Sequence, residues 1–177
     1  MSEVVLVDEM DNEVGVMEKL QAHHLGLLHR AFSIFVLNKE GEMLIHQRAM
    51  EKYHSGGLWT NACCSHPLPG ENVDFAAKRR LSEEMGLDCD LKKIFEFTYQ
   101  ADVGDGLIEH EFDHVFIGYT QSSPIVDSSE VMDWKWVSME MLITDMIAQP
   151  ESFTTWFKIA LPKFQEYFIH QNLKLTQ

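Results

Sequence analysis

Trp59 to Gly86 reads W-T-N-A-C-C-S-H-P-L-P-G-E-N-V-D-F-A-A-K-R-R-L-S-E-E-M-G. On an extended segment, positions two apart share a face, so Cys64 and His66 look into one space while Cys63 faces away. The Pro69-Gly70 turn follows. Asn72 then has the side chain to cap a helix over Val73 to Met85, with Phe75, Ala76, Leu81 and Met85 as apolar candidates and Gly86 as its stop. The charges on this helix run against stability. Glu83 and Glu84 occupy the last turn, where the helix dipole is already negative, and the pairs Arg79 with Glu83 and Arg80 with Glu84 take the weaker i,i+4 orientation. A charge order that stability does not select points to a site.

Working outward, the chain of 177 residues with 45% hydrophobic content fits a single domain, residues 1–177, able to bury its own core. The net charge of −14 argues against a nucleic-acid or anionic-membrane partner, since phosphate backbones are met with spread positive charge. Three cysteines, two of them adjacent, make a poor disulfide framework and suggest a reducing compartment, with cytoplasm as the expectation. No basic leader and no membrane-length apolar run is present, and without an evident helical zipper the chain is expected to be a monomer.

Upstream, Val4 to Val7 reads as an edge strand. His23, His24 and His29 follow, too many histidines for a core segment, with a loop expected between His23 and His29. Ala31 to Leu37 and Met43 to Arg48 read as a β-hairpin, and Arg48, Lys52, Tyr53 and His54 form a basic cluster ahead of Trp59. Downstream, Lys93 to Tyr99 and Ile108 to Thr120 read as strands joined by a turn over Asp102 to Gly106. Glu109, Glu111 and Asp113 share one face of the second strand, where three acids repel unless solvated or bound to a cation. Asp133 to Val137 reads as a short strand, Ser138 begins a helix, and a last helix runs from about Glu151 to His170 with a kink at Pro162.

The candidate chemistry has plain alternatives. Cys64 beside His66 is either a nucleophile or acid–base group, or a small buried hydrophobe. His23, His29 and His66 with Glu109 and Glu111 make an N₃O₂ donor set suited to zinc, manganese or iron better than magnesium, or else scattered surface histidines beside a solvated acidic face. Glu71, Arg79, Glu83 and Glu84 either converge on a hard dication that holds a diphosphate, or form surface salt bridges.

At these residues the chain resembles the Nudix family, whose box reads G-x5-E-x7-R-E-U-x-E-E-x-G-U with U apolar. Glu71, Arg79, Leu81, Glu83, Glu84, Gly86 and Leu87 match at the required spacing. Ser65 stands where the box opens on Gly, and Arg80 stands where it has a metal-binding Glu, which weakens a reading as a Nudix diphosphohydrolase, the main alternative. Together with L-H-R-A-F-S at Leu28 to Ser33, W-T-N-A-C-C-S-H-P at Trp59 to Pro67 and E-H-E at Glu109 to Glu111, these departures resemble the type I isopentenyl diphosphate isomerases over nearly the whole chain.

That resemblance implies an α/β Nudix fold, a mixed β-sheet core flanked by helices. It implies an enzyme of isoprenoid biosynthesis that interconverts isopentenyl and dimethylallyl diphosphate by protonation and deprotonation through a tertiary carbocation. It implies catalytic roles for Cys64, Glu111, Tyr99 and Trp156, and diphosphate contacts from Lys19, Arg48, Lys52 and Arg79, with Ser65 and Arg80 joining them. It implies a tightly held zinc or manganese on His23, His29, His66, Glu109 and Glu111, a magnesium on Glu84 that binds with the substrate, and no flavin.

Overall fold

The computed structural model describes residues 2–175, with side chains through His170. Among the described residues, nine strands form one mixed sheet: β1 (Glu3–Val7), β2 (Glu13–Glu18), β3 (His29–Leu37), β4 (Met43–Arg48), β5 (Trp59–Asn61), β6 (Cys63–Ser65), β7 (Leu91–Gly104), β8 (Leu107–Tyr119) and β9 (Val131–Val137). Four helices among these residues flank it: α1 (Lys19–Leu25), α2 (Val73–Met85), α3 (Met139–Ala148) and α4 (Thr155–Leu175).

The organising strand is β3. It runs parallel to β8 from His29↔Glu111 to Leu37↔Tyr119 and antiparallel to β6 through Ser33↔Cys64. Both faces of β3 are covered, as its near-continuous apolar sequence requires. Phe32, Ile34 and Val36 meet Ala76, Ala77, Leu81 and Met85 of α2 on one face. Phe35 and Leu37 pack with Phe157, Ala160, Leu161 and Phe164 of α4 on the other.

This alternation builds the site. On the α4 side, β8 presents Ile117, Val115, Asp113, Glu111 and Glu109 in turn, and β3 presents Leu37, Phe35, Ser33, Ala31 and His29, because side chains two apart share a face. One face of the sheet therefore changes from apolar to polar toward the starts of the two parallel strands.

Helix α2 has the expected bounds. Asn72 Oδ1 accepts from the backbone N–H of Asp74 at 2.9 Å and Phe75 at 3.3 Å, and Gly86 ends the helix at φ 62°, a left-handed conformation that glycine takes without a Cβ clash. Phe75, however, is 72% exposed; Ala76, Ala77, Leu81, Glu84 and Met85 form the buried face.

Several expectations change once the strands are assembled. Strand β1 is no edge strand: it lies between β2 and β3. The β3–β4 hairpin closes at a single pair, Leu37↔Met43, after which β3 is taken up by β6 and β8 and β4 by β5 and β9. Apolar continuity reports that both segments are strands, but backbone partners come from wherever the chain returns. The β7–β8 turn narrows to Asp105 and Gly106. The last helix starts later than expected, at Thr155, because Pro150–Ser152 is a short 3-10 turn and Thr154 is tied to β5. The Thr154 N–H donates to the Trp59 carbonyl at 3.0 Å, and its hydroxyl donates to Thr60 Oγ1 at 3.0 Å. The helix continues through Pro162. No described helix is long and apolar enough to cross a membrane.

Candidate active site

The polar end of the sheet opens into a pocket of about 280 Å³ lined by Lys19, Arg48, Lys52, Ser65, Arg79, Arg80 and Glu84, with Cys64 and His66 at its base. Behind it lies a recess of about 40 Å³ bounded by Cys64, His66, Tyr99, Glu109, Glu111 and Trp156. All fifteen residues singled out from the sequence thus gather around one connected site, His23 and His29 included through their contact with His66 and Glu111.

Two of the histidines expected at the surface are instead fully buried. His23 lies on α1 and His29 opens β3; Gly26 to Leu28 link them outside the helix. Each ring is oriented by a backbone carbonyl: His23 Nδ1 is 2.7 Å from Lys19 O, and His29 Nδ1 is 2.8 Å from Leu27 O. A carbonyl can only accept, so Nδ1 carries the proton and Nε2 keeps its lone pair. Both Nε2 atoms are buried without a hydrogen-bond partner among the described residues. His66 Nε2 lies 3.0 Å from Glu111 Oε1 and His29 Nε2 lies 3.6 Å from it. Ligand-capable atoms of His23, His29, His66 and Glu111 all fall within 4.8 Å of one another. Orphaned imidazole lone pairs converging on a carboxylate fit a transition-metal dication, since leaving them dry and unpaired is costly and an ion removes that cost. Glu109 stands slightly apart, grouped with His23 and with His54.

Electrostatics divide the two glutamates. Burial pushes Glu111 up, but the His29 and His66 imidazoles outweigh it and hold its carboxyl well below the usual range. Burial, reinforced by the charge of Glu111, pushes Glu109 well above it. Tyr99 Oη sits 2.7 Å from Glu111 Oε2 and 3.0 Å from Glu109 Oε2. The Tyr99 hydroxyl thus lies between the two carboxyls as their shared hydrogen-bond donor.

Across the recess, the Cys64 thiol donates to Asn61 Oδ1 at 3.0 Å. Asn61 is oriented for this, its Nδ2 donating to the carbonyls of Ile34 at 3.0 Å and Cys63 at 3.1 Å. Burial, with Asp113 next, pushes the Cys64 thiol well up, so it rests protonated. Asp113 itself is pushed up to about 8 by burial and Glu111, and it accepts from Ser33 Oγ at 2.7 Å. Trp156, in the first turn of α4, closes the recess with its face 4.9 Å from the Arg48 guanidinium.

At the mouth, Arg79 forks onto Glu71 with two bonds of 2.7 Å and also reaches Glu83. Arg80 contacts Glu83, Glu84 and Glu130, and Lys52 pairs with Glu130. Glu84 is buried among these cations, a carboxylate of the kind that, with a diphosphate, suffices for magnesium. Lys19 lowers to about 8, first through burial and then through Lys52 and Arg48.

Four contributors escaped sequence reasoning. Glu130 carries no local signal; it enters from the turn before β9. Ser33 and Asn61 lie inside the quoted motifs, where only strand pairing shows them touching Cys64. His54, noted only as part of a basic cluster, is buried and pushed down to about 3 by burial and then by Arg48, so it is neutral.

Residues 27–157 match the family model described as the NUDIX domain. Isopentenyl-diphosphate Delta-isomerase 2 of Aromatoleum aromaticum is 51% identical over 161 residues, covering 91% of this chain and 85% of that protein. Isopentenyl-diphosphate Delta-isomerase of Pectobacterium atrosepticum is 48% identical over 168 residues, covering 95% and 94%. Among solved structures, DR0079 from Deinococcus radiodurans superposes with a TM-score of 0.74 at 17% identity over 92% of this chain and 98% of its own. A MutT protein from Methanosarcina mazei gives 0.65 at 18% identity over 78% and 94%; at these identities the likeness is one of fold.

Proposed function

The chain belongs to the Nudix family and, within it, to the isopentenyl-diphosphate Delta-isomerases, and from this premise we propose how its own residues move the double bond of isopentenyl diphosphate to yield dimethylallyl diphosphate. A proton added to the terminal methylene leaves the positive charge on the tertiary carbon. Loss of a proton from the neighbouring methylene on the diphosphate side then places the double bond inside the chain, and no atom is gained or lost overall. The site must therefore supply an acid and a base across one narrow space, steady the cation and keep water away.

The observation that carries this reading is the recess itself, with a protonated thiol, Cys64, on one wall and an ionised carboxylate, Glu111, on the other. One holds a proton and the other can take one; microscopic reversibility makes each the acid in one direction and the base in the other. Tyr99 keeps Glu111 aimed and relays hydrogen bonding to Glu109. Trp156 offers an indole face to the developing charge, worth on the order of 2 kcal/mol when desolvated. Lys19, Arg48, Lys52, Ser65, Arg79 and Arg80 receive the diphosphate, and that remote binding energy orients an otherwise featureless five-carbon chain.

His23, His29, His66, Glu109 and Glu111 would hold zinc or manganese, and Glu84 magnesium, supplying positive charge beside Glu111 and beside the diphosphate. Proton transfer needs no redox group, and the proposal invokes no flavin. The enzyme is read as a cytoplasmic monomer, supported by three free cysteines and by a net charge of −14, which opposes self-association.

The test is proton NMR of isopentenyl diphosphate with the protein in deuterated buffer. Dimethylallyl diphosphate should appear carrying deuterium, without phosphate release, and Cys64→Ala should abolish it. Phosphate release without isomer would instead support the diphosphohydrolase alternative, and an active Cys64→Ala protein would remove Cys64 from the chemistry.

A further inference from the structure

Arg48 is the last residue of β4, and its backbone is fixed across the β4–β5 loop. Its N–H donates to the Leu58 carbonyl at 2.9 Å, and its own carbonyl accepts from the Gly57 N–H at 3.0 Å. The side chain is only 9% exposed and borders both the outer pocket and the recess behind it, so it stands where the two join.

Its guanidinium is unlike those of Arg79 and Arg80, which rest on carboxylates. Among the described residues Arg48 forms no ion pair: Nη2 donates to the His54 carbonyl at 3.3 Å, and the buried Nε has no hydrogen-bond partner. The charge lies instead over the Trp156 indole, 4.9 Å from the ring centroid.

Two consequences follow from a buried cation in that place. The first is affinity: leaving the charge dry without a counter-ion is costly, and a diphosphate removes that cost. The second bears on the chemistry. While Arg48 is unpaired, a full positive charge rests on the ring that is to steady the carbocation, beside the space where that carbocation forms. Like charges in a dry recess repel far more than in water. A guanidinium that already draws on the indole face also leaves less of its attraction for a second cation. Phosphate oxygens on Arg48 cancel both penalties while the guanidinium stays on the ring.

We propose that Arg48 couples the two ends of the substrate: unpaired, its charge opposes a carbocation at Trp156, and the diphosphate that neutralises it makes the recess able to form one. The inference rests on the isomerase reading above and gives the diphosphate a role beyond anchoring. The site thereby selects diphosphate esters at the chemical step as well as in binding. An unphosphorylated alkene that strays into the recess meets an acid that cannot complete the transfer.

The test splits the substrate in two. Full-length protein supplied with zinc and magnesium is given isopentenyl alcohol, the substrate without its diphosphate, in deuterated buffer, with and without saturating inorganic pyrophosphate, and deuterium incorporation is followed by NMR. In wild type, pyrophosphate should speed incorporation roughly tenfold, the order of one cation–π contact. Without pyrophosphate, Arg48→Met should process the alcohol several-fold faster than wild type, and pyrophosphate should then add little. A gain in rate is an outcome that damage to the fold does not produce. Calorimetry establishes the pyrophosphate concentration that saturates each protein. Indole fluorescence should shift on pyrophosphate binding in wild type but not in Arg48→Met or Trp156→Phe. Arg48→Gln is also neutral and keeps a donor for the His54 carbonyl, so it carries the test if the methionine variant does not fold.

Alcohol exchange no faster in the neutral variant than in wild type, including exchange undetectable in both, overturns the proposal. So does pyrophosphate activation, or a fluorescence shift, that survives undiminished when Arg48 is replaced. Wild-type protein that leaves isopentenyl diphosphate itself unchanged would overturn the isomerase reading as well, whereas activity on that ester with no gain on the alcohol in the variant removes this inference alone.

Discussion

Around the mouth of the pocket, cations already have partners: Arg79 is forked onto Glu71, Arg80 spans Glu83, Glu84 and Glu130, and Lys52 rests on Glu130. On the floor the opposite holds: among the described residues, His23, His29 and His54 each keep a buried Nε2 without a hydrogen-bond partner, and Asp113 keeps one carboxylate oxygen without one. The mouth is half-open, where ion pairs contribute little to stability and can trade a carboxylate for a phosphate at small loss. The floor is dry, where each unpaired polar atom costs about 1–3 kcal/mol until something binds it. One region is preorganised by its own internal pairing, and the other leaves donor atoms unpaired, as the proposed ion requires.

If that division is right, damage to the floor should strike the chemical step and damage to the mouth should strike binding. The largest effect is expected at Glu111. Glu111→Gln keeps the shape but removes the proton acceptor, so kcat should fall by roughly 10³-fold, measured by NMR isomerisation rates at saturating substrate; a change confined to KM would break the division. Next comes Trp156→Leu, which loses the indole face and should lower kcat by roughly thirtyfold, the equivalent of about 2 kcal/mol. Its effect should vanish on the binding of a saturated, non-reacting diphosphate.

At the mouth, Arg80→Ala should raise KM roughly tenfold and leave kcat close to wild type, since a charged hydrogen bond contributes about 1.5–3 kcal/mol. A dominant kcat loss there would place Arg80 with the floor. The smallest expected effect is a pH dependence. Lys19 is charged below about 8 and neutral above it, so diphosphate capture should weaken as pH rises through that value. A fall of a few-fold in kcat/KM should follow this limb, and Lys19→Met should flatten it. The linked stability term has the opposite sign. The folded pKa lies below that of an unfolded lysine, so the charge is unfavourable to folding at and below pH 8, and stability rises with pH toward ~10.4, the unfolded value.

Much of the mouth was legible in the linear sequence because it is local. Glu71, Arg79, Arg80, Glu83 and Glu84 sit on one turn and one helix, and helical spacing alone brings them together. The floor was legible only in part. Alternation on β8 placed Glu109, Glu111 and Asp113 on one face, and alternation on β6 set Cys64 against Cys63, but nothing in the spacing joins those strands. The likeness to a known family joined them, and the parallel pairing of His29 with Glu111 supplies the physical reason. His23 and His29 were expected outside because three nearby histidines look polar; both are buried, their rings oriented by the backbone carbonyls of Lys19 and Leu27. Glu130 and His54 were passed over since each acts through residues far away in sequence.

Local chemistry, then, determined α2 from its Asn72 cap to Gly86, the inward and outward faces of β6 and β8, and the reversal at Arg80. These follow from backbone periods of 3.6 and 2 and from hydrogen bonds within a few residues. The tertiary structure alone decided that β3 leaves its hairpin partner for β8, that Thr154 pins the start of α4 so that Trp156 covers the recess, and that the Cys64 thiol stays protonated. Those outcomes depend on which distant segments meet and on how much water they exclude. Strand partners are chosen by the whole chain, and a pKa is set by everything that surrounds the group.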